Sequence, residues 1–119
     1  MRKVTVPLHL LKEAERECLK SDVVKARVCA LLMDGKRVFR RDHNRIVAGA
    51  PHKFSAHAEE SLLSKIGKPY GTLIVLRYLP GKDCFGDSRP CDKCMRLILK
   101  TSISRIVYCL GESFYEETI

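Results

Sequence analysis

Thr72-Leu73-Ile74-Val75-Leu76-Arg77-Tyr78-Leu79 is the strongest strand signal in the chain, and its continuation through residue 110 decides the fold. Residues 80–90 form a loop with two glycines and two prolines. Pro90 then opens a helix over about 91–101, where its missing N–H costs nothing, and Ile103 to Leu110 is a further strand. A strand, a helix and a strand in that order argue for a crossover unit with parallel pairing. Toward the N-terminus, residues 56–66 read as a helix capped by Ser55 and stopped at Gly67-Lys68-Pro69. Residues 42–56 are a loop before it. Residues 24–33 alternate at first and then become continuously apolar, as in a strand covered on both faces. Asp34-Gly35 signals a hairpin, with Lys36 to Arg41 as the return strand. Residues 6–20 carry Leu8, Leu11, Ala14 and Cys18 near helical spacing, with Thr5 as cap and Pro7 in the first turn. Gly111 to Ile119 is a tail or the start of a helix. The expected product is an α/β fold, a mixed four-stranded sheet with helices on both faces.

The chain has 119 residues, which suits one domain spanning 1–119. Apolar residues make up 45% and charged residues 30%, a globular balance that excludes a disordered chain. No apolar run approaches the ~20 residues of a membrane span. Met1 to Pro7 has neither the apolar core nor the cleavage site of a secretory signal, so the expected location is cytoplasmic. Net charge is +8. Lys36, Arg37, Arg40, Arg41, Arg45 and Lys53, with His43 and His52, crowd the approach to residue 57. Singly, each suits a solvated hairpin rim; together they suit attraction of a phosphate-bearing substrate.

Two short patterns carry chemistry. His57-Ala58-Glu59 stands at the start of one expected helix, and Pro90-Cys91-Asp92-Lys93-Cys94 at the start of another. Side chains in a first turn lean toward the helix N-terminus, so His57 and Glu59 can face one cavity. Cys91 and Cys94 share a face as i and i+3. Without a secretory signal, the C-x-x-C pair favours metal over a disulfide. Two thiolates and one neutral imidazole balance Zn2+ and leave its fourth position for water. Glu59 is then free to carry protons, and Glu60 reads as a solvent-facing acid. Cys18, Cys29 and Cys109 read as buried small side chains, and Cys84 as a loop cysteine of open role.

The pairing H-x-E…P-C-x-x-C is a signature of zinc-dependent nucleobase deaminases, and the chain resembles the cytidine and deoxycytidylate deaminase superfamily over roughly 24–110. Ala26 to Gly35 looks like the family's first strand and hairpin. His43-Asn44-Arg45 sits where the family has an asparagine, and Cys94 to Tyr108 looks like its second zinc helix and following strand. The resemblance implies a three-layer α/β/α fold, zinc as cofactor on His57, Cys91 and Cys94, and Glu59 as proton shuttle. It also implies that Asn44 bonds the base or sugar edge and that the Ala58 N–H bonds the ring carbonyl. Asn44 reads equally as a loop residue capping its own turn. Phe54, Phe85, Phe114 and Tyr115 are candidates for stacking on a base, each equally suited to packing. The family usually continues with a helix, a fifth strand and often another helix. With a short C-terminus, the last strand would be a sheet edge, for which a homo-oligomer is one remedy.

Three functions are compatible with these residues. The first is a hydrolytic deaminase of a cytosine nucleotide such as dCMP or CMP, a phosphate-bearing partner. The second is a deaminase of cytosine or adenine in single-stranded DNA, RNA or tRNA. The third is a non-enzymatic zinc module closed by Cys84 as fourth ligand.

Overall fold

The computed structural model describes residues 1–46 and 55–119. In chain order the elements are β1 (Arg2–Val4), α1 (Leu8–Leu19), β2 (Arg27–Asp34), β3 (Arg37–His43), β4 (Arg45–Ile46), β5 (Ser55–Ala56), α2 (Ala58–Leu63), β6 (Tyr70–Leu79), β7 (Cys84–Gly86), α3 (Asp92–Leu99), β8 (Ser102–Leu110) and β9 (Ser113–Thr118). The main sheet runs β1-β9-β8-β6-β2-β3, with β7 on the end of β6. Among the described strands of this sheet, only β6 and β8 pair in parallel; the other neighbours are antiparallel.

Strand alternation sorts the apolar residues into two cores, one per face. Cys29, Leu31 and Met33 of β2 and Ile74, Leu76 and Tyr78 of β6 pack under Leu10, Ala14 and Cys18 of α1. Ala30 and Leu32 of β2 and Leu73 and Val75 of β6 pack under Leu62 of α2 and Ile98 of α3. This is the three-layer arrangement expected, with helices on both faces.

The strand count differs from the expected four. The two-residue loop Gly111-Glu112 joins Leu110 to Ser113, with Gly111 at φ +61, and the chain returns as β9 along β8. A glycine in the first position of a two-residue loop is a hairpin former. The segment expected as a tail or helix is therefore a fifth main strand. β1 pairs beyond β9, so β8 is interior and the open edge that motivated subunit association is filled. The edge on this side is now a three-residue strand bearing Arg2 and Lys3, charges that discourage further pairing.

Helix ends differ too. Pro7, not Thr5, holds the N-cap position of α1. Ser55 pairs with Ile46 in a two-strand ribbon, and His57 takes the N-cap of α2. At Gly71, φ is +93 and a Cβ would lie 2.2 Å from the Met33 carbonyl oxygen, so only glycine lets β6 pass β2 at this bulge. Among the described residues, no helix is long and apolar enough to cross a membrane.

One irregularity positions the site. β8 pairs with β6 only as far as Ile74, and β7 takes over from Arg77. Ser88 fills the gap between the splayed strands. Its hydroxyl donates to the Val75 carbonyl at 2.7 Å and accepts the Cys109 N–H at 2.9 Å. Its own N–H donates to the Cys109 carbonyl at 2.9 Å. A crevice between diverging strands at their carboxyl ends is where α/β sheets bind ligands.

Candidate metal centre and active site

Both helices on one face of the sheet begin at this crevice. His57 is the N-cap of α2 and Cys91 the N-cap of α3, each with extended backbone angles that end the preceding segment. Cys94 follows in the first turn of α3 and is fully buried. The Nδ1 atom of His57 lies 3.3 Å from the Cys94 sulfur and 3.7 Å from the Cys91 sulfur. All three donor atoms fall within 4.8 Å of one another.

The donor set fits zinc. Tetrahedral bonds of the usual Zn–N and Zn–S lengths place nitrogen and sulfur about 3.6 Å apart, and the two observed distances straddle that value. The electrostatics fit as well. Burial, then the charges of Glu59 and Cys91, hold the Cys94 thiol well above its ordinary value. A divalent cation inverts this, because a coordinating thiol gives up its proton.

Glu59 stands at the second position of α2 and is 4% exposed. Burial pushes its carboxyl up from the ordinary value, against lowering by its own backbone N–H and by His57. Glu60 differs from the expected solvent-facing acid. It accepts the His57 N–H at 3.2 Å and pairs with Lys93 of α3 at 3.0 Å, tying the two helix starts together.

Cys84 lies in β7, exposed, and is outside the donor cluster. The closed four-ligand site with Cys84 is not assembled, and among the described residues the cluster presents three protein donors. Cys18, Cys29 and Cys109 are buried as expected.

The cluster opens into a cavity of about 300 Å3. His57, Ala58 and Glu59 line it on the α2 side, Cys91 on the α3 side, and Asn44 at the end of β3. Asn44 is 6% exposed, and its amide is heavily engaged. Its Oδ1 accepts from the Ser21 hydroxyl at 2.6 Å and the Val28 N–H at 3.0 Å, while Nδ2 donates to the Ala26 carbonyl at 2.5 Å. Asn44 thus fastens the loop that bounds one side of the cavity.

The same architecture recurs among known proteins. The family model of the cytidine and deoxycytidylate deaminase zinc-binding region matches residues 5–110. The chain belongs to this family. It is accordingly a zinc-dependent hydrolase of the deaminase type. Among solved structures, cytidine deaminase from Burkholderia pseudomallei is similar at a TM-score of 0.65 and 16% identity, over 95% of this chain and 93% of that one. At that identity the likeness speaks for the deaminase fold. No curated protein sequence matches the chain.

Among the described residues, the cations that line the deaminase cavity are not those the sequence singled out. Among Lys36, Arg37, Arg40, Arg41, Arg45 and His43, none lines it. Lys53, His52 and Phe54 lie outside the described residues. Arg77 and Arg89 line it instead. The signal was present: Arg77 is the one charged residue in β6, two positions from Val75 and hence on the helix face beyond the cover of α2 and α3. Arg89 stands two residues before Cys91. The stacking candidates are packed elsewhere. Phe85 and Phe114 meet edge-on at 6.3 Å on the α1 face, and Tyr115 joins the other core.

Proposed function

We propose that the chain deaminates a free cytosine nucleotide of the dCMP or CMP class, giving the uracil form and ammonia. The carrying observation is the buried Glu59 carboxyl beside the His57, Cys91, Cys94 cluster, on the wall of one cavity of about 300 Å3. That volume lies at the small end of the range for small-molecule sites, and two guanidinium groups on its wall suit a phosphate.

Zinc held by His57, Cys91 and Cys94 supplies a Lewis acid that makes water nucleophilic near neutral pH. The protein's own part is positional and protolytic. Ala58 offers its N–H to the ring carbonyl, which fixes C4 of the base against the cluster. Glu59, its carboxyl held basic by burial, takes a proton from the attacking water and passes it to the ring nitrogen. It then protonates the departing amine, so water's oxygen replaces the amino group and ammonia leaves. Asn44 holds the loop wall and orients the sugar edge.

A second reading, deamination of bases in single-stranded DNA, RNA or tRNA, is favoured by the net charge of +8 and by exposed Lys36, Arg37, Arg40 and Arg41 at the β3 end of the sheet. It requires oligonucleotide binding that weakens steeply with salt.

Ammonia release from cytosine, cytidine, CMP, dCMP, adenosine and single-stranded oligonucleotides separates the readings, with Glu59→Ala as control. Turnover of CMP or dCMP, lost in Glu59→Ala with zinc retained, is the expected result. Full activity of that variant would overturn the mechanism, and turnover of oligonucleotides alone would overturn the substrate. The homo-oligomer expected from sequence would now need a surface other than β8, and sedimentation reads it directly.

A further inference from the structure

Arg77 belongs to two cavities. It lines the one over the metal cluster and a second, open one of about 460 Å3 along the β6–β7 turn with Leu79, Pro80, Lys82 and Gly86. Asp87 is the other residue common to both. The two spaces therefore meet at Arg77, with Arg89 on the metal side and Lys82 on the far side.

The guanidinium of Arg77 is incompletely used. Its Nη2 donates to the Lys25 carbonyl at a long 3.3 Å. Its Nε is buried and has no hydrogen-bond partner among the described residues. A buried N–H without an acceptor is uncommon in a native structure and calls for an explanation. Its neighbours on the metal side are already engaged. Arg89 pairs with Glu117 of β9 at 3.1 Å and lies over the Tyr108 ring at 5.9 Å. Asp87 accepts the Gly111 N–H at 2.7 Å through Oδ1. Arg77 forms no ion pair with an acid of the chain among the described residues.

We infer that Arg77 is the residue that selects for the substrate's phosphate, holding it at the junction of the two cavities. The inference rests on the deaminase reading of the same site and adds its specificity determinant. Guanidinium suits the task because its N–H fork matches phosphate oxygens, and it stays charged at every physiological pH. The placement on β6 is rigid, since this strand is paired on both sides at Arg77, to Val28 of β2 and to Gly86 of β7. A phosphate here meets the exposed end of the guanidinium and leaves the base free to reach the metal cluster through the first cavity.

The test compares CMP with cytidine on zinc-loaded wild type, Arg77→Gln and Arg77→Lys. Wild type should prefer CMP. Arg77→Gln should raise the CMP KM by on the order of tenfold or more and change the cytidine KM by less than about twofold, with kcat for cytidine retained. Arg77→Lys should recover part of the loss, since it restores charge without the fork. Equal losses for both substrates, or a wild type indifferent to phosphate, would overturn the assignment. Calorimetric binding of CMP and cytidine to Glu59→Gln and to Glu59→Gln/Arg77→Gln decides it without turnover. If wild type deaminates neither compound, the substrate reading fails, while the calorimetry still rules on Arg77. A melting curve for each variant separates misfolding from lost recognition.

Discussion

Among the described residues, two clusters each bring three metal-capable side chains within 4.8 Å, and only one has the makings of a metal site. The first is His57, Cys91 and Cys94 at the helix starts. The second is Glu17, Asp42 and His43, where α1 meets β3. In the second, the protein supplies the counter-charge itself. Asp42 receives Lys65 at 2.7 Å, the Ser61 hydroxyl at 2.7 Å, an ion pair from Arg45 and the His43 N–H at 2.8 Å. Glu17 takes Lys20 at 3.1 Å and His43 Nδ1 at 2.6 Å. In the first, the three donors face one another, and the Glu59 carboxyl beside them pairs with no Lys or Arg among the described residues. Burial would raise the Asp42 carboxyl, but its donors outweigh that and bring it from 3.8 to about 2. The Cys94 thiol moves the other way. Donor type and spacing alone do not mark a metal site; the missing counter-charge does.

The sharpest way to break this contrast is to ask which cluster depends on zinc. A Cys91→Ser/Cys94→Ser variant should bind no zinc by atomic absorption. A chelator should lower the wild-type melting temperature. At zinc a thousandfold above its dissociation constant, binding is worth about 4 kcal/mol, or on the order of 15 °C for a domain of this size. Because the thiols must lose protons to bind, zinc affinity should fall as pH falls. Zinc retained by the double variant, or lost on Asp42→Asn, would reverse the two assignments.

The ionic cluster should show the opposite dependence, indifferent to metal and sensitive to acid. Asp42→Asn removes the charge that joins α2 to β3 and should cost about 2 kcal/mol, a hydrogen-bonded charge's worth. The partly exposed Arg45 and Lys65 keep the cost from being larger. The sign with pH follows from a depressed carboxyl. Its contribution is complete above the ordinary value of 3.8 and is lost as pH falls through about 2. The gap between wild-type and Asp42→Asn denaturation midpoints should therefore hold at neutral pH and close through that acid window. A constant gap down to pH 2 would show that packing, not charge, is what Asp42 provides.

The legible parts of this protein were those whose signal is local. The apolar run of β6, the spacing of α1, and the two motifs at helix starts each carry their reading within a dozen residues. β9 was not legible, because the strand is defined by its pairing with β8 and β1 rather than by a local apolar run. β1 was further removed, since it exists through β9. Yet Gly111-Glu112 between Leu110 and Ser113 has the same glycine-first form as Gly35-Lys36 between β2 and β3, and the first hairpin could have taught the second. In the site, the metal donors were legible because their chemistry fixes residue types. Arg77 and Arg89 carried only a weak local signal, because arginine on a surface is ordinary. Only the splay of β6 from β8 at Ser88 turns those positions inward to a cavity.

Cys84 gives the smallest expected effect and the strictest check on the contrast. If it closed the metal cluster as a fourth donor, no position would remain open and Glu59 would have no water to serve. The structure places it on β7, exposed and paired to Leu79 through backbone alone. Serine there fills nearly the same volume and meets solvent. Cys84→Ser should thus keep one zinc per chain, keep kcat, and change stability by no more than about 0.5 kcal/mol, the usual range for an exposed site. Metal analysis and a melting curve suffice. Loss of zinc in this one variant would convert the centre into a closed structural site, and every catalytic role given to Glu59 would go with it.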